Sequence, residues 1–537
     1  MKAKQTAYDN FYGVIKEVLT TYKIKYNDYT LSKETDYTVY ENSIDSLSKT
    51  LDMYLIPNVV VQLNVDQISE INLPSITLYQ NQYVVLKTYS NEKITFWDSE
   101  FGVVTEDLNH FKQQWGGLAI LMQTTPSSEE VDYKNTHRKQ YLNKTEQLIW
   151  VSIGLILLGC CLLAASSFYE FLAVLFLGAG VVVSGLLLQN EYGKPADWVQ
   201  QICHVGQNSS CMAVTNSSAG KLFNWLSWSE IGVVFFLGSL LSQGLSKLSY
   251  NPLITQNISI YLFYIHLLAS PYAIFSVYYQ RFVIRQWCVL CLVVQAVLIG
   301  ALLSEWQYAS FNLSFDEKSF IVLSIGFGLP IIGWLIIKPL LQLQSQNRSI
   351  EKRWMSFRRN SYLFSYWLKQ QNSVNENIHE NDISIGNPEA PVTILMVADP
   401  TCDPCAWAYR ELKPWMNYFS DEVRFIIRFI AKNEEHSIII KHLLSIRNRV
   451  DIIEVISKWY ELRIYEDWKQ DFPIFPNTDI DIIYEAQQQW AVDNNIQRTP
   501  SVFVNGKELN LPFMLTDLKF HIRFLAEEAI ETTIQKL

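Results

Sequence analysis

The chain has 537 residues, a formal net charge of −10 and a mean hydropathy of +0.05. This length exceeds that of a single domain, and the acidic balance argues against nucleic-acid binding, which requires a basic surface. Residues 1–140 and 345–537 have the composition of soluble protein, whereas 148–338 is crowded with long apolar runs. The sequence therefore predicts a membrane-embedded middle between two soluble ends.

The N-terminal region, 1–140, contains short runs of apolar and β-branched residues that predict strands. They are Ser75–Leu78, Tyr83–Leu86, Ile94–Trp97 and Trp115–Leu118. This region resembles the papain-like α+β cysteine-peptidase domain of bacteriocin exporters, in which a Cys–His–Asp set cleaves double-glycine leaders. Asp98 matches the acid, but Tyr83 stands where the histidine is expected and no cysteine occurs before Cys160. Without a thiol no acyl-enzyme forms, so we expect an inactive domain that either binds peptides or only adds stability.

The central region, predicted as a membrane domain over 147–340, contains six apolar segments close to the roughly 20 residues that a helix needs to cross a bilayer. They are 147–168, 171–189, 229–248, 258–279, 287–304 and 319–338. The pattern predicts a polytopic α-helical bundle of about six spans within the lipid bilayer. His266 lies inside the fourth segment; it is either bonded within the bundle or in contact with a bound cofactor.

Six of the eight cysteines form three close pairs, each at the end of a predicted span or outside the spans. They are Cys203 with Cys211 in the loop 190–228, Cys288 with Cys291 at the mouth of the fifth span, and Cys402 with Cys405 in the C-terminal region. The other two, Cys160 and Cys161, lie within the first apolar segment. Buried free cysteines usually behave as small apolar residues, so we expect no redox role for them.

After a predicted linker, 341–380, the C-terminal region 381–537 has the pattern of an α/β domain. Val392–Val397 predicts a buried strand, Cys402 and Cys405 follow it at the start of a helical stretch, and 499–506 reads as a strand and turn consistent with a hairpin. A thiolate at a helix N-terminus is stabilised and reactive, and a C-x-x-C spacing lets the second sulfur resolve a mixed disulfide. A zinc half-site is the alternative, but no second pair at ligand spacing is nearby, so no metal is predicted.

These C-terminal residues resemble the thioredoxin fold in its disulfide-oxidase branch, with a helical insertion. The resemblance implies that Cys402 is the exposed nucleophile and Cys405 the resolving thiol. It also implies that Thr499 and Pro500 form the loop that faces the sulfurs and helps to dock the substrate.

The ordered set of Cys203, Cys211, Ser217 and the Cys288–Cys291 pair resembles the vitamin K epoxide reductase family, in the bacterial form fused to thioredoxin, over roughly 170–340. The resemblance implies a four-helix catalytic core. It implies that Cys291 faces a quinone, menaquinone or ubiquinone, with Cys288 as its partner. It further implies that Cys203 and Cys211 shuttle electrons and that Ser217 donates a hydrogen bond near the quinone.

The number of predicted spans supports a relay between the three pairs. Two spans separate the loop pair from Cys288, and two more separate Cys291 from the C-terminal domain, so all three pairs are expected in one compartment. Thiol–disulfide exchange needs contact between sulfurs. We therefore expect oxidation of dithiols in exported proteins or peptides, with electrons passing to the quinone. The alternatives are the same relay run reductively, or a non-enzymatic factor for peptide export or maturation.

The expected location is the bacterial inner (cell) membrane, crossed several times, with the thioredoxin-like domain in the periplasm, because disulfide formation needs an oxidising compartment. The positive-inside rule favours the opposite orientation. Basic residues follow the sixth segment at Lys338, Arg348, Lys352, Arg353, Arg358 and Arg359. A disulfide generator in the cytosol would work against the reducing thiol pool, so we expect the periplasmic orientation.

Overall fold

The computed structural model describes residues 7–37, 43–64, 67–68, 71–90, 92–192, 199, 214–215, 217, 220–222, 225–309, 315–374, 382–474 and 479–536. The chain divides into two compact units. One contains Lys139–Ile350, and the other contains Gln5–Arg138 together with Glu351–Leu537. The second unit therefore joins the two soluble ends of the chain.

The N-terminal domain is an antiparallel sheet with helices packed on it. Its helices are α1 (Ala7–Thr21), α2 (Asp28–Tyr37), α3 (Ile44–Asp52) and α4 (Leu108–Gln114). Its strands are β1 (Asn58–Gln62), β2 (Ser75–Tyr79), β3 (Gln82–Tyr89), β4 (Lys93–Asp98), β5 (Gly102–Asp107) and β6 (Trp115–Met122), in the order β1-β6-β2-β3-β4-β5. Gln80 and Asn81 both have positive φ, so they form the tight turn whose twist suits the β2–β3 hairpin.

The four strands expected in this domain are present, and two more flank them. β1 and β5 lie at the two edges of the sheet, and most of their side chains are only partly buried or exposed. Edge strands carry a weaker apolar signal than central ones because one or both of their faces meet solvent. This explains why the sequence did not reveal them.

The unit that contains Lys139–Ile350 is helical. Its helices are α5 (Tyr133–Leu163), α6 (Phe168–Tyr192), α7 (Trp228–Leu248), α8 (Pro252–Ala269), α9 (Pro271–Tyr278), α10 (Val289–Ser304) and α11 (Glu317–Arg359). A π-helical turn (Tyr279–Ile284) follows α9, and two short strands, β7 (Lys221–Leu222) and β8 (Leu226–Ser227), precede α7. The unit includes α5 only from Lys139 and α11 only as far as Ile350. Four helical stretches are long and apolar enough to cross a membrane: Phe168–Tyr192, Trp228–Leu248, Pro252–Ile284 and Glu317–Arg359. Gly154–Leu163 and Val289–Ser304 are shorter apolar helices.

Small residues allow the central helices of this unit to pack closely. A Cβ atom on Gly180 of α6 would lie 2.4 Å from the ring of Phe236 on α7, and one on Gly300 of α10 would lie 2.6 Å from the ring of Phe176. Glycine is therefore required at both positions for the helices to approach as they do. α6 is the helix that α7 and α10 share as a neighbour.

The predicted linker 341–380 differs in the structure, because most of it is helical. α11 continues to Arg359, and α12 (Ser361–Lys369) follows directly. Phe364 of α12 is fully buried in the core of the C-terminal domain. Polar and basic composition suggested a linker, but the spacing of the apolar residues on α12 produces a packed helix instead.

The C-terminal domain has a mixed five-stranded sheet in the order β13-β12-β10-β11-β9. Its strands are β9 (Ile383–Ile385), β10 (Val392–Ala398), β11 (Val423–Phe429), β12 (Ser501–Val504) and β13 (Lys507–Glu508). Its helices are α13 (Asp403–Tyr418), α14 (Glu434–Ser445), α15 (Ile452–Leu462), α16 (Tyr465–Asp471), α17 (Ile480–Asp493) and α18 (Ile522–Lys536). β10 runs parallel to β11 and antiparallel to β12, and α14–α17 form an insertion between β11 and β12.

The N-terminal and C-terminal domains pack against each other through buried polar contacts. A carboxylate oxygen of Asp52, at the end of α3, lies 2.8 Å from the guanidinium of Arg523 on α18. The hydroxyl of Tyr418 donates a hydrogen bond to the same carboxylate at 2.6 Å. The backbone carbonyl of Asn58 accepts a further bond from Arg523 at 2.5 Å. These contacts fix the first and last domains of the chain to one another.

Candidate functional site

The Cys402–Cys405 pair lies where β10 ends and α13 begins. Cys402 is the N-cap residue of α13, and its sulfur accepts a hydrogen bond from the backbone N–H of Cys405 at 3.3 Å. The two sulfurs are 2.8 Å apart; Cys402 is partly exposed and Cys405 is fully buried. The Cys402 sulfur thus faces the N-terminus of a helix, a position typical of reactive cysteines. The geometry therefore separates an accessible sulfur from a protected one.

Burial controls the chemistry of the inner sulfur. It raises the pKa of the Cys405 thiol to about 12, because a thiolate loses its hydration in an apolar surrounding. The backbone N–H of Asp399 points at this sulfur from 3.4 Å and partly offsets the effect. Cys405 therefore holds its proton at neutral pH unless a neighbouring group takes it.

A group of charged and polar side chains lies beside the inner sulfur and was not found from the sequence. Asp399 is buried, and its carboxylate is 3.0 Å from the amine of Lys432 and 3.5 Å from Nδ1 of His436. Burial opposes the ionisation of Asp399, but hydrogen bonds from Thr401 and Lys432 outweigh it and lower the pKa of that carboxyl. Asp399 stands three residues before Cys402 in the predicted turn, so its position was visible, although its partners were not.

The predicted docking residues Thr499 and Pro500 lie opposite the exposed sulfur. Their peptide bond is cis, and the carbonyl oxygen of Thr499 is 3.8 Å from Sγ of Cys402. Both residues line a surface cavity of about 700 Å³, together with Trp407 and Met514. Trp407 is 45% exposed, so a large apolar side chain stands open to solvent beside the reactive sulfur. That these residues dock a substrate stays a prediction.

The Cys288–Cys291 pair lies at the start of α10 and forms a disulfide. Cys288 is the N-cap residue and is fully buried, and its backbone N–H donates to Oε1 of Gln280 at 2.9 Å. Gln280 in turn donates to Ser276 at 3.1 Å, and Gln295 donates to the same hydroxyl at 2.5 Å. Two amide side chains inside an apolar bundle indicate a functional site. Their contacts show that Gln280 bonds directly to Cys288, whereas Gln295 bonds to Ser276.

A cavity of about 320 Å³ opens beside this disulfide, with Cys291 on its wall. Its other walls are mostly apolar and aromatic, and the rings of Trp228 and Tyr272 stack at 4.3 Å between centroids. Ser217 and Ser184 are among the few polar residues that line the cavity. The hydroxyl of Ser184 is buried and has no hydrogen-bond partner among the described residues. An apolar cavity with a few polar groups suits a flat aromatic ligand.

Ser217 lies on the wall of the same cavity as Cys291, although 74 positions separate the two residues in the sequence. Its hydroxyl donates to the carbonyl of Val214 at 2.7 Å and accepts from the N–H of Gly220 at 3.2 Å. Rotation of this hydroxyl would be needed for Ser217 to donate to a bound molecule, so its role there stays a prediction.

The remaining cysteines divide into two groups. Cys203 and Cys211, the predicted shuttle pair, lie outside the described residues. Cys160 and Cys161 of α5 are free and line a separate apolar cavity between α5, α6 and α7. Neither of them lines the cavity that contains Cys291.

The residues matched to a peptidase site in the N-terminal domain do not form one. The side-chain amide of Asn10 bonds to both the N–H and the C=O of Tyr83, each at 3.1 Å, and donates to Ser99 at 2.9 Å. Asp98 accepts the backbone N–H groups of Glu100 and Phe101 at 2.7 and 3.0 Å. The acid therefore caps a turn instead of orienting an imidazole, and no thiol is present in this domain.

Comparison with known families identifies the three parts. Residues 3–127 match the model of the peptidase C39 family, 171–306 match the vitamin K epoxide reductase family, and 378–522 match a thioredoxin family. A comparison with curated proteins returned no match.

Among solved structures, oxidised BdbD from Bacillus subtilis is similar at 17% identity, covering 30% of this chain and 98% of that one, with a TM-score of 0.25. A periplasmic thioredoxin-like protein from Salmonella enterica serovar Typhimurium is similar at 16% identity, covering 29% and 93%, with a TM-score of 0.24. A double-glycine-motif protease from a transporter, in complex with its leader peptide, is similar at 17% identity, covering 23% and 90%, with a TM-score of 0.20.

The chain thus combines a peptidase-C39-like domain, a vitamin K epoxide reductase domain in a helical membrane unit, and a thioredoxin-like domain. It is a membrane thiol–disulfide oxidoreductase that acts on thiol-containing substrates.

Proposed function

We propose that the chain oxidises dithiols of exported proteins or peptides and passes their electrons to a membrane quinone, menaquinone or ubiquinone. The electrons travel from Cys402–Cys405 to Cys203–Cys211, then to Cys288–Cys291 and into the quinone. The observation that carries this proposal is the apolar cavity with Cys291 on its wall. The match to the vitamin K epoxide reductase family, whose members use quinones, supports the same acceptor.

The first step takes place at the thioredoxin-like domain. A substrate thiolate attacks Sγ of Cys402, the more exposed sulfur of the oxidised pair, and the S–S bond to Cys405 breaks. Cys405 takes up a proton on leaving, since burial raises its pKa to about 12. A second substrate thiolate then attacks the mixed disulfide. The substrate leaves as a disulfide, and Cys402 and Cys405 hold its two electrons.

Reoxidation requires the buried thiol of Cys405 to lose its proton again. In this step Cys402 attacks the Cys203–Cys211 disulfide, and Cys405 resolves the mixed disulfide. Asp399, whose backbone N–H bonds to the Cys405 sulfur, carries a carboxylate that is paired with Lys432 and His436. We assign to this group the transfer of the Cys405 proton.

The apolar cavity of the membrane domain supports a quinone as the acceptor. A bound quinone supplies an acceptor for two electrons and two protons. Trp228 and Tyr272 offer an aromatic wall for its ring, and Ser217 and Ser184 offer hydroxyl groups. The apolar lining excludes water, while Gln280 fixes the backbone of Cys288 so that Cys291 faces the cavity.

The proposed location is the inner membrane of a bacterium, with the thioredoxin-like domain in the periplasm, where thiols are oxidised. The contacts of the basic residues after the sixth segment support this orientation. Arg358 is bonded to Asp517 at 2.6 Å, Lys338 to Glu230 at 2.8 Å, and Arg359 to Glu34. Charges that are neutralised within the protein give a weak signal of orientation, so the conflict with the positive-inside rule is reduced.

The decisive experiment measures quinone reduction by the purified chain supplied with a reduced dithiol peptide. Cys402→Ser and Cys291→Ala are each expected to abolish it, whereas Cys160→Ser, a matched cysteine outside both sites, should leave it unchanged. Unchanged thiol oxidation in Cys291→Ala would refute the proposal and favour a non-enzymatic role.

A further inference from the structure

A buried polar cluster inside the helical unit takes no part in the relay described above. His266 on α8 has no exposed surface, and Glu305, the C-cap residue of α10, is 2% exposed. Nδ1 of His266 lies 2.7 Å from Oε2 of Glu305, and Nε2 lies 3.2 Å from Oγ of Ser239 on α7. The cluster therefore joins three helices through one imidazole ring.

The hydrogen bonds of this cluster determine where its protons lie. The hydroxyl of Ser239 donates to the backbone carbonyl of Phe235 at 2.9 Å. Its oxygen must then accept from His266, which places a proton on Nε2. The contact between Nδ1 and Glu305 holds one further proton, either on the carboxyl or on the ring. The proton can pass between the carboxyl and the ring within this hydrogen bond, because Oε2 and Nδ1 can each carry it.

The cluster lies next to the cavity that contains Cys291. On α10, Cys291, Val294 and Leu298 line that cavity. Glu305 follows Leu298 by seven residues, two helical turns along the same face, and the small residue Ala301 stands between them.

Helices α8 and α7 place the cluster at the same position relative to this cavity. On α8, Ala269 lines the cavity and His266 precedes it by three residues, about one turn. On α7, Phe235 lines the cavity, and its ring centroid lies 5.3 Å from that of His266. The imidazole therefore lies about one turn below the cavity, on the side away from Cys288.

Polar and charged groups lie beyond the cluster, around a second cavity that Tyr308 lines. The backbone N–H of Tyr308 bonds to the carbonyl of Glu305 at 2.9 Å, and the second cavity has a volume of about 340 Å³. Glu170 and Lys247, which pair at 2.8 Å, line this cavity as well. These are the charged groups that line it. Oε1 of Glu305 is buried and has no hydrogen-bond partner among the described residues.

We propose that the His266–Glu305 pair transfers protons from the far side of the membrane to the cavity that contains Cys291. This inference rests on the proposed function. When the Cys288–Cys291 dithiol is oxidised, two S–H bonds break, one S–S bond forms, and two electrons pass to the quinone. The two thiol protons leave on the cysteine side. The pair delivers two protons to the quinone, one at a time, and is reloaded from the cavity at Tyr308. His266 and Glu305 do not line the cavity, so they act as proton carriers beside it and not as residues that bind the quinone.

Glu305→Gln is the informative variant, because glutamine can still bond to Nδ1 of His266 but carries no acidic proton. The matched control is Glu230→Gln. Glu230 is a carboxylate that is 1% exposed in the same unit, but it is held by Lys338 at 2.8 Å and Tyr192 at 2.6 Å instead of by an imidazole. The control thus removes a buried acid without altering the proposed route.

The first measurement needs no quinone. Infrared titration of the purified chain is expected to show a carboxyl signal that changes with pH, is absent from Glu305→Gln and is retained in Glu230→Gln. A Glu305 signal that does not change across the pH range in which the protein is folded would overturn the proposal, since a pair that exchanges no proton cannot transfer one.

The second measurement uses vesicles that contain quinone and a pH dye inside, with the thioredoxin-like domain facing outward. Addition of a dithiol peptide outside should make the interior more alkaline. Glu305→Gln should abolish this change and slow quinone reduction by on the order of 10²-fold, as expected for a lost proton donor, while Glu230→Gln retains both.

The outcomes separate the two proposals. Quinone reduction that is lost in Cys291→Ala but unchanged in Glu305→Gln, or interior pH that stays constant in the wild type during turnover, overturns only the proton route. A wild type that does not reduce quinone overturns the proposed function and the proton route with it.

Discussion

Asp52 in the N-terminal domain and Arg523 in the thioredoxin-like domain form a partly buried ion pair at 2.8 Å, although 471 positions separate them in the sequence. Domains in contact must share one compartment. The contact therefore requires an even number of membrane crossings between them; four helical stretches are long and apolar enough to cross, and two shorter apolar helices accompany them. The sequence left open on which side of the membrane the N-terminal domain lies, and from this contact we expect it on the side of the Cys402–Cys405 pair.

Removal of Arg523 is expected to destabilise the protein in a pH-dependent manner. Burial raises the pKa of Asp52 to about 6 even though Arg523 opposes the shift. A raised carboxyl pKa favours the folded state at low pH, and this contribution is lost as the pH rises through about 6. Arg523→Ala should therefore cost roughly 3 kcal/mol at pH 7.5, where Asp52 loses its counter-charge, and less at pH 5.

Thermal unfolding of the purified chain at the two pH values tests this expectation. Asp52→Asn combined with Arg523→Ala should recover part of the lost stability at pH 7.5. Lys413→Ala, which removes an exposed partner of Glu454, is the control and should have little effect at either pH. Equal destabilisation by Arg523→Ala at both pH values would contradict the role of Asp52.

The two sulfurs of the thioredoxin-like domain are expected to differ sharply in reactivity. In the reduced protein at pH 7, iodoacetamide should label Cys402 at least about tenfold faster than Cys405, because the thiolate is the reactive form and burial raises the pKa of Cys405 to about 12. Mass spectrometry of each peptide provides the rates. Cys405→Ser should also accumulate a mixed disulfide between Cys402 and the substrate, and labelling of Cys405 at the rate of Cys402 would disprove the asymmetry.

The direction of electron flow can be measured at the same pair. We expect a reduction potential for Cys402–Cys405 nearer to about −120 mV than to about −270 mV, the values of a strongly oxidising and a reducing dithiol protein respectively. Equilibration with glutathione or dithiothreitol buffers, followed by trapping of free thiols, gives this potential. A value near the reducing end would favour the same relay run in reverse.

Ser217 is expected to affect quinone affinity and not the exchange between dithiols. The loss of one hydrogen bond of about 1.4 kcal/mol corresponds to a tenfold change in affinity, so Ser217→Ala should raise the KM for quinone about tenfold at nearly constant kcat. Ser184→Ala removes the other hydroxyl on the cavity wall and is the matched comparison. An unchanged KM in Ser217→Ala would assign this serine to its local turn with Val214 and Gly220.

Local sequence patterns were sufficient to predict the elements that carry the cysteines. Val392–Val397 was expected as a strand and is part of Val392–Ala398, and the C-x-x-C that follows it begins a helix. The apolar segments were expected from hydropathy, and helices occupy all six of them. Such features depend on residues that are close together in the chain, so composition and spacing reveal them.

The contacts that tune these elements could not be read from the sequence. The bonds from Gln280 to Cys288 and from His266 to Glu305 join residues on different helices. A single glutamine, histidine or glutamate in an apolar segment indicates that a partner exists, as for His266, but it does not identify the partner. The tertiary packing of the helices makes that choice.

The Asn10 side chain bonds to the main chain of Tyr83 and leaves its phenol ring unconstrained by these bonds. Any residue other than proline offers the same N–H and C=O. The bonds from Asn10 therefore do not depend on whether position 83 carries a phenol or an imidazole. The fold around position 83 can thus persist whether or not a catalytic side chain stands there.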